Sequence, residues 1–290
     1  MVKRKTKKPA KPLPLRVEKT SGVEKTASTQ KLISTYHTLN KQLSAVLKAG
    51  DAKTAATIRS EMEALGGLHA YQRASLKGGN EKKGLGACGS WLVTFLREEQ
   101  KARENATAPG AATAASPGAA KTKLRLLDVG AVSGQTYAKQ ASWIDVSSID
   151  LNPQSQTVKK QDFFERPNPK GDDERFHVLC LSLVVNFVGD PKLRGEMLIH
   201  ARRFLLPSGL LFLVLPLPCV TNSRYMTHEH LLAIITSIGY TLVKQHFARK
   251  LAFYLLRRVE NGQFKKVEWA KKEIHPGIER NNFCIVIRKD

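Results

Sequence analysis

The sequence predicts an α/β protein: a mostly parallel sheet closed by a C-terminal antiparallel hairpin, preceded by a small helical module. Three observations predict it. After Lys123, short apolar runs alternate with stretches of helical periodicity. Before Asn105, apolar residues recur three and four apart. Between these textures lies a stretch of almost only Ala, Thr, Pro, Gly and Ser. The expected division is a disordered basic arm at 1–27, a helical module at 28–105, a low-complexity linker at 106–122 and the sheet domain at 123–290.

The arm opens with Lys3-Arg4-Lys5-Thr6-Lys7-Lys8, a run suited to nuclear import or RNA contact. In the module, Leu32, Tyr36, Leu39, Leu43 and Val46 make one helix face, ended by Gly50. Asp51 is placed to cap a second helix, carried by Ala55, Ile58, Met62 and Leu65 and stopped at Gly66-Gly67. A loop rich in Gly and Lys follows Ser75, and a third helix spans about Ser90 to Asn105, with Trp91, Leu92, Phe95 and Leu96 inward. The clearest strands are Leu124–Val129, Trp143–Leu151, His177–Leu183 and Leu210–Leu215, with a weaker one at Thr157–Lys160. Helices are expected at about Pro191–Leu206 and Glu229–Ile238, the latter closed by Gly239. Leu251–Arg257 and Phe283–Arg288 are expected to pair as the terminal hairpin.

Composition narrows the function. The 290 residues carry 47 Lys+Arg against 25 Asp+Glu, a net charge of +22 and a pI near 10.0. That excess calls for a polyanionic partner, first of all nucleic acid. An anionic membrane is the rival, but no long basic amphipathic helix is evident. Apolar runs are too short or too Pro-rich to span a bilayer, and no signal peptide is expected. Cys88, Cys180, Cys219 and Cys284 are widely spaced with no CxxC pair, against a zinc site or a disulfide framework, and three of them sit in strongly apolar contexts that predict buried thiols. His228 and His230, two apart at a helix start, do not share a face, so no metal is expected.

The strongest local signal is Leu126-Leu127-Asp128-Val129-Gly130-Ala131-Val132-Ser133-Gly134: a buried strand, an acid, a glycine turn and, as expected here, a helix whose N-terminus offers N–H groups. Val132 stands where a middle glycine would help. Asp150 ends the next strand, twenty residues beyond Gly130, where a nucleoside-binding unit places the acid that grips ribose hydroxyls. Its structural alternative is a helix cap ahead of Asn152-Pro153. After the weak third strand, Asp162 can accept from an adenine amino group while Phe163 packs on the ring; an ordinary turn with core phenylalanines competes. The fourth strand leads into Ser182, Asn186 and Phe187, and the fifth into Leu215-Pro216-Leu217-Pro218-Cys219-Val220-Thr221-Asn222-Ser223-Arg224-Tyr225. Both lie where ligands of open α/β sheets bind, and Arg224 and Tyr225 can take a phosphate and a base. There is no Walker-A sequence. Dinucleotide binding stays open from the glycine turn alone, but the terminal hairpin speaks against it and matches class I S-adenosylmethionine (SAM) methyltransferases.

Gly67-Leu68-His69-Ala70-Tyr71-Gln72-Arg73-Ala74-Ser75, Ser182-Leu183-Val184-Val185-Asn186-Phe187-Val188 and Leu215–Tyr225 together carry a resemblance. The chain resembles the fungal nucleolar enzymes that form N1-methyladenosine in large-subunit (25S) rRNA, from about Gln30 onward outside the linker. The resemblance implies a Rossmann-like, class I SAM-dependent fold, SAM as methyl donor, and rRNA or a pre-ribosomal particle as partner in the nucleolus. It implies Gly130 and Asp150 as SAM contacts; Asp128, Gly134 and Asp162 fit the general methyltransferase pattern, and Phe163 joins them from its place beside Asp162. Asn186 is expected at the target base edge, with Phe187 or Tyr225 as stacking surface, and Tyr71 and Gln72 as part of a lid. An animal relative resembles a SAM sensor, so a non-catalytic, SAM-binding regulator is the alternative.

Overall fold

The structure, a computed structural model, describes residues 21–80, 84–106, 123–260, 264 and 267–288. Most of the basic arm and nearly all of the linker lie outside the described residues. Helix α1 (Ser21–Ala49) takes in residues 21–27, expected in the arm. Glu24, Lys25 and Ala27 there have helix propensity without an apolar period, which pattern reading passes over. Asp51 caps α2 (Ala52–Ala64) as expected, its carboxylate accepting from Thr54 N–H. Gly66 and Gly67 make the turn at φ +89° and +62°. The chain then re-enters a helix, α3 (Gly67–Asn80), rather than a loop, and α4 runs from Gly84 to Ala106.

The sheet has seven strands: β1 (Leu124–Val129), β2 (Ile144–Asp150), β3 (Lys159–Lys160), β4 (Phe176–Ser182), β5 (Leu205–Pro216), β6 (Tyr240–Phe247) and β7 (Leu251–Arg258). Their order is β3-β2-β1-β4-β5-β7-β6, with β7 antiparallel to both β5 and β6. This is the mostly parallel sheet with an antiparallel end that the sequence predicts, but the hairpin has a different partner. Leu251–Arg258 pairs with Tyr240–Phe247, and the segment around Phe283–Arg288 forms only an isolated bridge, Ile287 to Trp269. Beyond Tyr240 only Val243 of edge strand β6 is half-buried and the rest is exposed, so it lacks the apolar alternation that reveals a strand. Phe283, Ile285 and Ile287 are apolar because they pack against the helices of the opposite layer.

Helices α5 (Pro191–Arg203), the short α6 (Pro218–Thr221) and α7 (His228–Ser237) follow β4 and β5. Leu198 and Ala201 of α5 and Leu231 and Ile234 of α7 bury one sheet face, against Leu127, Leu179, Leu211 and Leu213. The other face has no crossover helix. Between β1 and β2 stands only one 3-10 turn, Ala138–Gln140, so the helix expected after the glycine turn is absent. Its place on the sheet is taken from before the strands: Leu92, Phe95 and Leu96 of α4 pack on Leu126, Val178, Phe212 and Leu255. Helices α1–α3 form a separate cluster of Tyr36, Leu39, Ile58, Met62 and Tyr71, against which Phe187 packs.

Leu92 is therefore a core residue of the sheet layer. Leu92→Ala should cost about 2–5 kcal/mol and lower the urea midpoint of a single transition seen by both circular dichroism and tryptophan fluorescence. If the variant melted its helices early while the sheet transition stayed put, α4 would be an appendage instead.

Candidate functional site

The parallel strands β1, β2 and β4 end together at one edge, and the predicted residues meet there. Gly130 leaves β1 with φ +74° and is exposed. A Cβ on it would lie 2.8 Å from Val184 Cγ2, so only glycine lets the β1 turn and the Asn186 turn approach this closely. Val132 adopts φ 37°, a conformation that costs a β-branched residue of order 1–3 kcal/mol. What holds it is visible: its N–H points at Asp150 Oδ2 (3.3 Å) and its carbonyl accepts from Gln154 N–H (2.9 Å).

Asp150 is only 8% exposed and is the hub of the site. Its Oδ1 accepts from Asn152 N–H (2.7 Å) and, weakly, from Gln72 Nε2 (3.4 Å). No helix follows it, so the helix-cap alternative is not realised. Gln72, buried on α3, also donates to Asn152 O (3.0 Å) and accepts from Asn152 Nδ2 (2.7 Å) and Gln154 Nε2 (3.1 Å). The helical module thus closes over the acid with neutral amides, and no cation from the described residues neutralises it.

Asp128 lies deeper on β1, on the α4 side of the sheet with Tyr137 and Cys180, whose side chains are 3.3 Å apart. Burial, and then the nearby Asp150 charge, push Asp128 up to about 7. All four cysteines are buried thiols, one more than expected. Among the described residues no group of His, Cys, Asp and Glu is placed to hold a metal, and no helix is long and apolar enough to cross a membrane.

The turn after β4 carries Asn186 and Phe187. Asn186 is 9% exposed, and its Oδ1 has no hydrogen-bond partner among the described residues. A buried acceptor left unpaired costs about 1–3 kcal/mol, which a ligand N–H would recover. Phe187 is half-buried, 4.3 Å from the His37 ring and 5.0 Å from Tyr71, while Asn40 Nδ2 donates to its carbonyl (3.1 Å). His37 and Asn40 were not singled out from sequence. Their three-residue spacing, beside the apolar stripe of α1, was the available signal. Burial, and then Lys41, hold His37 down at about 4, so it is neutral at pH 7.

Other expected residues stand apart. Gly134 turns the chain at φ +67° against Thr157 and Val158. Asp162 follows β3 next to Asp150, since Gln161 N–H bonds Asp150 O, and its Oδ1 accepts from Phe164 N–H (2.8 Å). Phe163 does not face the site: it is 3% exposed and packs on His200 and Phe204 in the core. Tyr225 has no ring contact with Phe187; its ring neighbours are Arg224 and Lys271. Asn186, Gly130 and Asp150 are brought together, and Tyr225 occupies a separate loop on the same sheet edge.

Comparison with known proteins yields one family. Residues 56–285 match the family described as 25S rRNA (adenine(2142)-N(1))-methyltransferase, Bmt2. The 25S rRNA adenine-N(1) methyltransferase of Schizosaccharomyces pombe is 35% identical over 261 residues, covering 88% of this chain and 90% of that protein. The 25S rRNA (adenine(2142)-N(1))-methyltransferase of Saccharomyces cerevisiae is 32% identical over 232 residues, covering 79% of this chain and 63% of that protein. Among solved structures, an N-methyltransferase from Bradyrhizobium japonicum in complex with S-adenosyl-L-homocysteine covers 47% of this chain and 79% of its own at 16% identity and a TM-score of 0.37. That likeness is too loose to argue from; the strand order carries the fold assignment.

Asp128 makes the protein's stability pH-dependent. Its folded value, about 7, lies above the ordinary 3.8. The folded protein therefore keeps a proton that the unfolded chain releases, and stability falls as pH rises from about 4 through 7. Over that window Asp128→Asn should gain on the parent by roughly 1.4 kcal/mol per pH unit, read from urea midpoints at pH 5, 6, 7 and 8. Parallel pH profiles for the two proteins would contradict the assignment.

Proposed function

The chain belongs to the family of 25S rRNA (adenine-N(1))-methyltransferases, and on that premise we propose how its own residues form N1-methyladenosine in large-subunit rRNA. The observation that carries the reading is the reach of the family match: residues 56–285 include the Gln72–Asp150 junction and the unpaired Asn186 acceptor in one alignment.

The residues at the sheet edge fit SAM. Gly130 supplies backbone where a side chain would collide. Asp150 is a buried carboxylate whose contact to Gln72 Nε2 is long, 3.4 Å, so it has acceptor capacity with which it would hold the ribose hydroxyls. Asp128 is a buried acid lacking a cation, suited to the ammonium of the amino-acid end. Asp162, beside Asp150, suits the adenine amino group. When bound, SAM supplies a methyl group on a positively charged sulfur.

The target adenine needs little proton chemistry. N1 attacks with an in-plane lone pair and carries no proton to remove. The methylated ring would carry the positive charge once the S–CH3 bond is exchanged for N1–CH3. A general base is not required, and the protein's work is alignment and exclusion of water. Asn186 Oδ1 accepts from the exocyclic amino group next to N1 and so sets the base edge. N1 lies on the Watson–Crick edge, so the adenine has to be unpaired or flipped out. His37 and Tyr71, packed on Phe187, keep the module seated over the site. Phe187 therefore acts first as the docking ring between module and sheet. The basic run Lys3–Lys8 and the +22 net charge support a pre-ribosomal, nucleolar setting with strongly salt-dependent binding.

The test is nucleoside mass spectrometry and reverse-transcription stops on large-subunit rRNA from cells lacking the gene. One N1-methyladenosine should disappear and return with the parent chain. It should not return with Asp150→Ala or Gly130→Arg, which should also abolish SAM binding. Asn186→Ala should keep SAM affinity and lose at least ten-fold in methyl transfer, about 1.4 kcal/mol. An unchanged rRNA profile with SAM binding intact would favour a non-catalytic, SAM-binding role.

A further inference from the structure

The loop after β5 makes a second cluster on the sheet edge that the reaction does not use. Its main chain is locked to the C-terminal segment. Ser223, buried, donates through Oγ to Phe283 O (2.6 Å), Arg224 N–H bonds Asn281 O (3.0 Å), and Ile274 N–H bonds Arg224 O (2.7 Å). Asn281 Nδ2 ties back to Pro218 O (2.6 Å) and Asn222 O (2.7 Å). This framework presents two side chains outward. Arg224 is aimed by Asn282, whose Oδ1 accepts from both Nε (2.9 Å) and Nη2 (2.6 Å). The Tyr225 ring, half-buried, has Lys271 Nζ 4.3 Å and the Arg224 guanidinium 5.7 Å from its centre.

The chemistry of this arrangement is specific. A neutral amide orients Arg224 without cancelling its charge, and among the described residues neither Arg224 nor Lys271 pairs with a carboxylate. Two uncompensated cations flanking a fixed aromatic ring are what a nucleotide of single-stranded RNA needs: a counter-charge for phosphate and a face for the base. Further cations stand on this edge: exposed Arg249 and Lys250 form the β6–β7 turn next to Leu217, and exposed Lys272 follows Lys271, with Glu273 and Glu279 the acids of residues 271–288.

We propose that Arg224, Tyr225 and Lys271 form a subsite for a nucleotide flanking the target adenine, taking its phosphate on the two cations and its base on the tyrosine. The position follows from connectivity. β4 and β5 are neighbours, paired Ser182 to Val214, so the Asn186 turn and this loop emerge side by side. Arg194 braces them together: its Nε donates to Val188 O (2.7 Å) and its guanidinium lies 4.7 Å from the Phe283 ring centre. The proposal rests on the methyltransferase reading for RNA as the polyanion and for the place of the target base.

The test is fluorescence anisotropy of the full chain with a labelled, adenine-free pyrimidine RNA of about twelve nucleotides, without SAM. Tyr225→Ala should weaken binding roughly ten-fold or more, and Tyr225→Phe should restore it. Arg224→Ala and Lys271→Ala should each lower the slope of log affinity against log salt by about one. Melting temperature and SAM affinity should stay at the parent's values. Lys271→Glu, on an exposed side chain, gives the same readout should Tyr225→Ala fold poorly. Parent-like RNA affinity in Tyr225→Ala and Lys271→Glu would overturn the subsite and leave the methyltransferase reading standing. Loss of RNA affinity in those variants, with a parent chain that methylates no adenine, would do the reverse.

Discussion

A parallel sheet has two apolar faces to cover, and this chain supplies crossover helices for only one. α5 and α7 follow β4 and β5 and bury the face that holds Leu127, Leu179 and Leu213. The link from β1 to β2, which in a right-handed crossover would carry a helix on the opposite face, is a string of turns. Leu126, Val178 and Phe212 would then face water. Helix α4 covers them from the N-terminal side of the chain, with Leu92 buried among them. Burial of Leu92, Phe95 and Leu96 in that cluster is the apolar contact that joins α4 to the sheet.

That covering has a functional consequence. Because α4 is fixed to the sheet, α1–α3 are held over the strand ends. α3 delivers Gln72 to Asp150, and α1 delivers His37 and Asn40 to Phe187. The carboxylate of Asp150 joins three parts of the chain: the strained turn at Val132, the end of β2 and the N-terminal module. The strain at Val132 and the orphaned Asn186 acceptor are both at this junction, as expected where stability is given up for a binding site. An enzyme acting on a base with its own lone pair has no need of a proton relay. The site accordingly contains neutral amides, aromatic rings and two buried acids, with His37 held neutral.

Much of this was legible in residues. Short apolar runs marked β1, β2, β4 and β5, because parallel strands buried on both faces must carry them. Gly130 and Asp150 were recognisable as a turn and an acid at successive strand ends, and the structure shows why the turn needs glycine: its φ is +74° and a Cβ would meet Val184. Asp51 was recognisable because a cap is a local interaction, settled within three residues. Phe163 was misread because an aromatic after a strand looks the same whether it faces a ligand or the core; burial against Phe204 decides it.

Residues alone marked strands β1, β2, β4, β5 and β7, helices α1, α2, α4, α5 and α7, the turns at Gly66-Gly67 and Gly130, and an excess of positive charge suited to a polyanion. These follow from local sterics, local hydrogen bonds and summed charge. Only the tertiary structure decided which strand closes the hairpin, because β6 is a mostly exposed edge strand that carries no apolar alternation, while Phe283, Ile285 and Ile287 are apolar for a different contact. Only it decided that α4 serves as the missing layer, that Gln72 meets Asp150 across 78 positions of sequence, and that Tyr225 stands with Lys271 and Arg224 rather than with Phe187. Each is a pairing between distant segments, and its energy exists only once the chain has folded.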